Sequence, residues 1–347
     1  MASSESAEVS GVLKRVSRSF YLTLRILPRS IRSQIGLTYF LARAADTIAD
    51  THLIPLEKRQ DALLHMRKAI QMAAEGRIAA LPDFGELSEA QAAIGGLGVS
   101  AECSLLTSAG KALSLLRGFA HSDRLCVRDV LDKITHGQEL DLVRFGSASV
   151  DRIAALENDA ELDDYTYSVA GCVGEFWTKM CRAHLFSKAL LNDAFLFDAS
   201  IRFGKGLQLV NILRDLPKDL RQGRCYIPGN RLADCGLQPQ DLLDPAAIHR
   251  LRPLYDSYLQ QAEDYLYAGW SYTRILPLSQ MRVRLACALP ILIGIRTLAR
   301  LRVSNVLDDR HLIKTTRSEV RWLLLRTVIL YPRPIAWNRL FDLAKEE

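Results

Sequence analysis

Apolar positions recur along this chain with the three-to-four-residue step of helices buried on one side, and no stretch sustains the alternation of a half-buried strand. After a polar leader of about ten residues, MASSESAEVS, helical periodicity begins near Gly11 and carries SRSF at 17–20. Pro28 and Ser30 read as a turn and an N-cap that open a helix over 30–51, which stops by 52–55. Pro55 starts a charged amphipathic helix, and 77–100 is Gly-rich and irregular, a surface connection without chemistry. Further helices are expected near 101–120, 122–145, 159–185, 195–220, 244–274, 279–301 and 318–344. The class is all-α. No Pro/Gly/Ser-rich linker interrupts the pattern, so 11–345 reads as one helical domain behind a flexible leader at 1–10.

Two of these helices carry polar residues in a line. Asn211, Asp215 and Asp219 are spaced i, i+4, i+8, with Gln208 a turn earlier, so their oxygens stack along one stripe. Leu207, Leu209, Val210, Ile212 and Leu213 are apolar enough to bury the rest of the helix. Such a stripe reads equally as a solvated face and as the lining of an enclosed space, where a row of hard oxygen ligands suits Mg²⁺. A second stripe lies far upstream: Asp46 and Asp50 are again i, i+4, with Arg43 one turn before Asp46 and Tyr39 one turn before Arg43. Two carboxylate pairs across a pocket repel unless divalent cations and a polyanionic ligand intervene. Arg43 and Arg214 then read as diphosphate clamps, the guanidinium fork matching phosphate oxygens.

Composition narrows the class. Of 347 residues 49% are hydrophobic and 24% charged, which describes a globular protein with a large core. The net charge is +6, yet no Lys/Arg run reaches five and no aromatic–basic interleaving marks a nucleic-acid surface. Seven cysteines, odd in number and without a CxxC pair, read as reduced thiols in a cytoplasmic protein. The N-terminus has no apolar signal region, and the longest apolar run, 285–295, is eleven residues interrupted by Pro290, too short for a membrane span.

Four smaller features add candidates. Ala170, Gly171 and Gly174 in DDYTYSVAGCVGEFW are small residues inside a helix, where they admit a long apolar ligand or a neighbouring backbone; Tyr165 and Tyr167 precede them and read otherwise as core tyrosines. Glu139 and Asp141 are surface charges or a pocket edge, and His136 has no partner at zinc-ligand spacing. GRCYIP puts Arg224 and Tyr226 just after the second stripe. RWLLLRTVILYPRPIAW mixes Trp, Tyr, Leu and Arg and suits a membrane surface and a packed C-terminal helix alike.

With SRSF at 17–20, YFLARAADTIAD at 39–50, YTYSVAGCVGE at 165–175 and QLVNILRDLPKD at 208–219 in this order, the chain resembles the squalene/phytoene synthase family. DTxxD in the first stripe and LACALPILIGIRTL at 285–298 look more like the squalene than the phytoene branch. The resemblance implies an isoprenoid synthase helical bundle around a central cavity that joins two farnesyl diphosphates head to head through presqualene diphosphate, with NADPH reduction to squalene. It implies Mg²⁺ on Asp46, Asp50, Asn211, Asp215 and Asp219, and catalytic roles for Tyr165, Arg43 and Arg214. Substrate contacts fall to Ser17, Arg18, Ser19, Phe20, Tyr39, Val169, Gly174, Gln208, Tyr226, Cys287 and Pro290. NADPH falls to Arg18, Arg43, Arg214, Lys314 and Arg317, the last two at a spacing that departs from the family pattern. Ala49 and Lys218 also depart, since the family often has an acid at each. Dehydrosqualene or phytoene synthesis without hydride transfer is the alternative within the class. A non-catalytic lipid-binding or assembly relative is the alternative outside it. A monomer or weak dimer with peripheral contact at the inner membrane face completes the expectation.

Overall fold

A computed structural model of the chain describes residues 2–16, 24–51, 54–78, 99–308 and 313–346, and these are overwhelmingly helical, as the hydrophobic pattern requires. The chain divides into two compact units, Met1–Gly146 with Lys179–Ser187, and Ser147–Thr178 with Lys188–Glu347.

The first unit holds α1 (Ala2–Val16), α2 (Arg29–Asp50), α3 (Leu56–Ala74), α4 (Val99–Thr107), α5 (Ala109–Arg117) and α6 (His121–Phe145). Helix α1 takes in 2–10, which the pattern leaves as a leader: Val9 is buried with Val12 and Leu13, and Glu8 meets Lys111 of α5 at 2.6 Å. Pro28, not Ser30, precedes the first turn of α2; its fixed φ suits that position although it offers no side-chain cap. Ile31, Ile35, Phe40, Leu41 and Ile48 bury one face of α2 against α3 and α6, each fully buried side chain contributing about 1.5–3 kcal/mol. Arg67 of α3 ties down α6, its Nε donating to Asp132 at 2.6 Å and a terminal nitrogen to Glu139 at 3.1 Å. Glu139 is thereby anchored to a neighbouring helix. The helix expected over 101–120 breaks at Ser108 into α4 and α5.

In the second unit α7 (Asp159–Thr166) runs through a π-helical turn, Tyr167–Gly171, into α8 (Cys172–His184), whose last residues belong to the first unit. Then come α9 (Asp193–Arg221), α10 (Gly229–Asp234), α11 (Ile248–Ile275), α12 (Met281–Val303), α13 (Arg317–Leu330), α14 (Pro334–Asn338) and α15 (Leu340–Glu346). Asn192 caps α9 by accepting from the Phe195 amide, and Thr316 with Glu319 forms a capping box on α13. Helix α9 packs along α11, and α11 on α12. The pattern predicts one C-terminal helix over 318–344; Pro332 and Pro334 end it early, leaving three. Two-residue strands, β1 (Ala154–Ala155) and β2 (Arg224–Cys225), pair in parallel. The turn that brings β2 there has Gly223 at φ +79°, where a Cβ would lie 2.4 Å from the Ser149 nitrogen.

By length and composition Leu278–Val303 is apolar enough to cross a membrane, with mean hydropathy 1.4, well beyond the eleven-residue run seen in the sequence. Half of that window is buried, and α12 packs on α9, α11, α13 and α15, which is the behaviour of a core helix.

Candidate active site

The first acidic stripe lies on α2. Arg43 reaches Asp46 at 3.7 Å and Glu102 of α4 at 3.1 Å, while Gln138 of α6 donates to Asp46 Oδ1. The Asp46 side chain keeps 46% of its surface open although protein surrounds it. Burial pushes its carboxyl up to about 6, with Asp50 adding to the rise and Arg43 and Gln138 opposing it. A carboxylate that holds its charge at such cost is a receptive ligand for a cation. Asp50 is exposed one turn on, Tyr39 is half-buried, and Ala49 sits in the core beside Asp50.

The second stripe lies on α9. Arg214 folds onto Asp215, its Nε donating to Oδ1 at 2.8 Å and a terminal nitrogen to Oδ2 at 2.5 Å, and this bond raises the Arg214 pKa. Asn211 is exposed; Gln208 and Asp219 are half-buried. Pro217 lacks the amide that would bond the Leu213 carbonyl one turn back. Buried Tyr255 of α11 donates its hydroxyl to that carbonyl at 2.9 Å, so the helix stays satisfied between Asn211 and Asp215. Lys218 points into solvent without a partner among the described residues.

Tyr165 and Tyr226, singled out separately in the sequence, meet in the second unit. Their rings stack with centroids 4.7 Å apart and planes 23° from parallel, and Tyr165 is only 8% exposed. The π turn begins two residues after Tyr165, a local widening that often accompanies functional sites. Small residues let this stretch and α9 approach backbone to backbone: a Cβ on Gly204 of α9 would come 2.2 Å from the Ala170 carbonyl oxygen, and one on Gly174 of α8 1.9 Å from that of Ser200. Tyr167 donates to Glu175 at 3.1 Å. Lys205 lies over the Tyr167 ring and pairs with Asp163 at 2.7 Å.

The remaining candidates are more dispersed. Val169 and Pro290 are half-buried. Cys287 is buried in α12, and burial pushes its thiol up to about 12. Lys314 and Arg317 are exposed and carry no carboxylate partner among the described residues, whereas Arg43 and Arg214 are committed to carboxylates. Ser17, Arg18, Ser19 and Phe20 lie outside the described residues. Sequence reading missed Gln138 and Glu102. Gln138 had a signal, as a lone amide in the buried row Leu131, Ile134, Gln138, Leu142, Phe145 of α6.

Among the described residues no three His, Cys, Asp or Glu side chains converge as a metal cage. Paired hard oxygens fit instead a Mg²⁺ ion that shares its coordination with phosphates and water.

The sequence profile of the squalene/phytoene synthases matches residues 13–319. The presqualene diphosphate synthase of Rhodopseudomonas palustris is 30% identical over 240 residues, 69% of this chain and 68% of that protein. The bifunctional lycopene cyclase/phytoene synthase of Blakeslea trispora is 26% identical over 219 residues, 62% of this chain; the match spans 31% of that protein's length. In fold, the chain superposes on a dehydrosqualene synthase crystallised with ligand at a TM-score of 0.69 and 21% identity, covering 96% of this chain and 98% of that one.

Proposed function

Since the chain belongs to the squalene/phytoene synthase family, we propose that it condenses two farnesyl diphosphates head to head to presqualene diphosphate and, with NADPH, carries the product on to squalene. The observation that carries this reading is the pair of acidic stripes on α2 and α9, each with an arginine resting on its own aspartate. The family uses a divalent metal for diphosphate binding. Asp46 and Asp50 on α2, and Asn211, Asp215 and Asp219 on α9, would each hold Mg²⁺ with substrate diphosphate, and the metal would stabilise the charge of the departing pyrophosphate. Arg43 and Arg214, each resting on its own aspartate, would clamp the diphosphate oxygens. The two arginines thus neutralise the stripes before substrate arrives and clamp it afterwards.

Tyr165 offers its ring, stacked on Tyr226, to the allylic cation, and its hydroxyl relays the proton lost as the cyclopropane closes, taking it up while passing its own proton to the released pyrophosphate. A buried tyrosine pair also keeps water from trapping the cation as an alcohol. Lys314 and Arg317, without a carboxylate partner among the described residues, would hold the cofactor's phosphates, and NADPH would supply hydride there. The 30% identity to a presqualene diphosphate synthase supports the first half-reaction and makes a stop at presqualene diphosphate the second reading.

The test is incubation of the purified protein with farnesyl diphosphate and Mg²⁺, with and without NADPH. Mass detection follows on the hexane extract and on the phosphatase-treated aqueous phase. Squalene only with NADPH is expected. Presqualene alcohol alone in both arms favours the second reading, dehydrosqualene under saturating NADPH removes hydride transfer, and turnover of geranylgeranyl diphosphate only would make it a phytoene synthase.

A further inference from the structure

Arg284 is an anomaly in the second unit. It is 5% exposed, and no carboxylate pairs with it among the described residues. One terminal nitrogen donates to the Leu276 carbonyl at 2.9 Å, the guanidinium lies 4.8 Å from the centroid of the Trp337 ring and 5.5 Å from that of Tyr331, and its Nε has no partner. The aromatic faces recover part of the cost of burying this cation, but an unpaired buried charge normally draws an anion. Arg284 lines a cavity of about 620 Å³ together with Arg274, which is exposed and also lacks a carboxylate partner, and with Ser271 and Asn338. Among the described residues two like charges therefore line one cavity with no counter-charge between them.

The surroundings specify the kind of anion. Leu278, a cavity wall, is 61% exposed, and Ile335, next to the lining Pro334, is 76% exposed. The Tyr331 hydroxyl, donating to the Leu278 carbonyl at 2.7 Å, joins this rim to the end of α13. Trp322, Leu325 and Ile329, at i, i+3 and i+7, form an exposed apolar stripe along α13. Five arginines, Arg317, Arg321, Arg326, Arg333 and Arg339, fall in 317–339, against Glu319 alone, and that acid is already bonded to Arg296 and Arg300. Exposed apolar side chains bordered by an excess of arginines over acids suit an anionic bilayer surface better than a soluble anion.

We propose that this face docks on an anionic membrane, with the phosphate of one phospholipid headgroup entering the cavity between Arg274 and Arg284 while Leu278, Ile335 and the α13 stripe rest among the acyl chains.

The test is co-sedimentation of the full chain with vesicles of phosphatidylcholine alone and of phosphatidylcholine with phosphatidylglycerol. Binding is expected only to the anionic vesicles. Arg274→Glu and Leu278→Asp, both at exposed positions that spare the core, should each weaken it by about ten-fold. Lys188→Glu, which makes the same change in net charge at an exposed residue outside the cavity, should leave it unchanged. Equal loss in Arg274→Glu and Lys188→Glu would reduce the effect to diffuse electrostatics and overturn the headgroup site. Equal binding to neutral vesicles would overturn it as well. If inorganic phosphate at millimolar concentration raised the melting temperature of the parent but not of Arg274→Glu, and displaced the parent from vesicles, the cavity would be a site for the free anion and the lipid assignment would fall.

Discussion

Replacing Asp46 by Asn should abolish turnover and, in the same molecule, make the substrate-free protein more stable at neutral pH. Burial holds the Asp46 carboxyl near 6 instead of 3.8, a difference of about two units, or ~3 kcal/mol of penalty on the charged form. Because 46% of the side chain is open, solvent screens much of this, and a gain of ~1 kcal/mol is the realistic figure. The sign follows from the direction of the shift: the folded protein releases this proton less readily than the unfolded chain. The penalty is therefore absent below about 3.8, grows as pH rises and is complete above about 6. Asn keeps an oxygen for Gln138 and carries no charge. Spread over 347 residues, ~1 kcal/mol corresponds to a rise of roughly 1–2 °C in melting temperature. Scanning calorimetry of parent and variant at pH 8 and pH 4.5, without Mg²⁺ or diphosphate, should show the gain at pH 8 and about a third of it at pH 4.5. Adding Mg²⁺ with pyrophosphate should stabilise the parent and leave the variant where it was. A variant less stable than the parent at pH 8 would refute the buried-charge argument, and parental turnover would remove Asp46 from the chemistry.

Three further outcomes are expected. Lys218→Glu should leave the dependence of activity on Mg²⁺ unchanged, because Lys218 is exposed and has no partner among the described residues, and a displaced titration curve would put it in the site. Tyr255→Phe should cost about 1–3 kcal/mol in urea unfolding by orphaning the Leu213 carbonyl, and adding Pro217→Ala, which restores a helix donor, should recover part of the loss; no recovery would refute the pairing. Gly174→Ala should yield little soluble protein, since its Cβ would lie 1.9 Å from the Ser200 carbonyl oxygen; a stable, fully helical variant would show that α8 and α9 separate easily.

What the sequence determined by itself was local. Helix geometry repeats every 3.6 residues whatever the surroundings, so the lines Asp46–Asp50 and Asn211–Asp215–Asp219 were legible, as were the all-α class and the order of the segments that mark the family. Tertiary structure decided which side chains answer them. Gln138 reaches Asp46 across 92 positions of chain, Tyr255 reaches Leu213 across 42, and Tyr165 finds Tyr226, and no spacing rule spans such separations. The small residues at 170–174 allowed two readings until Gly204 and Ser200 were seen against them. Arg214 turning onto its own neighbour is likewise one choice among rotamers, which spacing along the helix does not specify. Periodicity belongs to one helix and its covalent geometry, whereas partnership belongs to the packing of many helices at once, and only the folded chain records it.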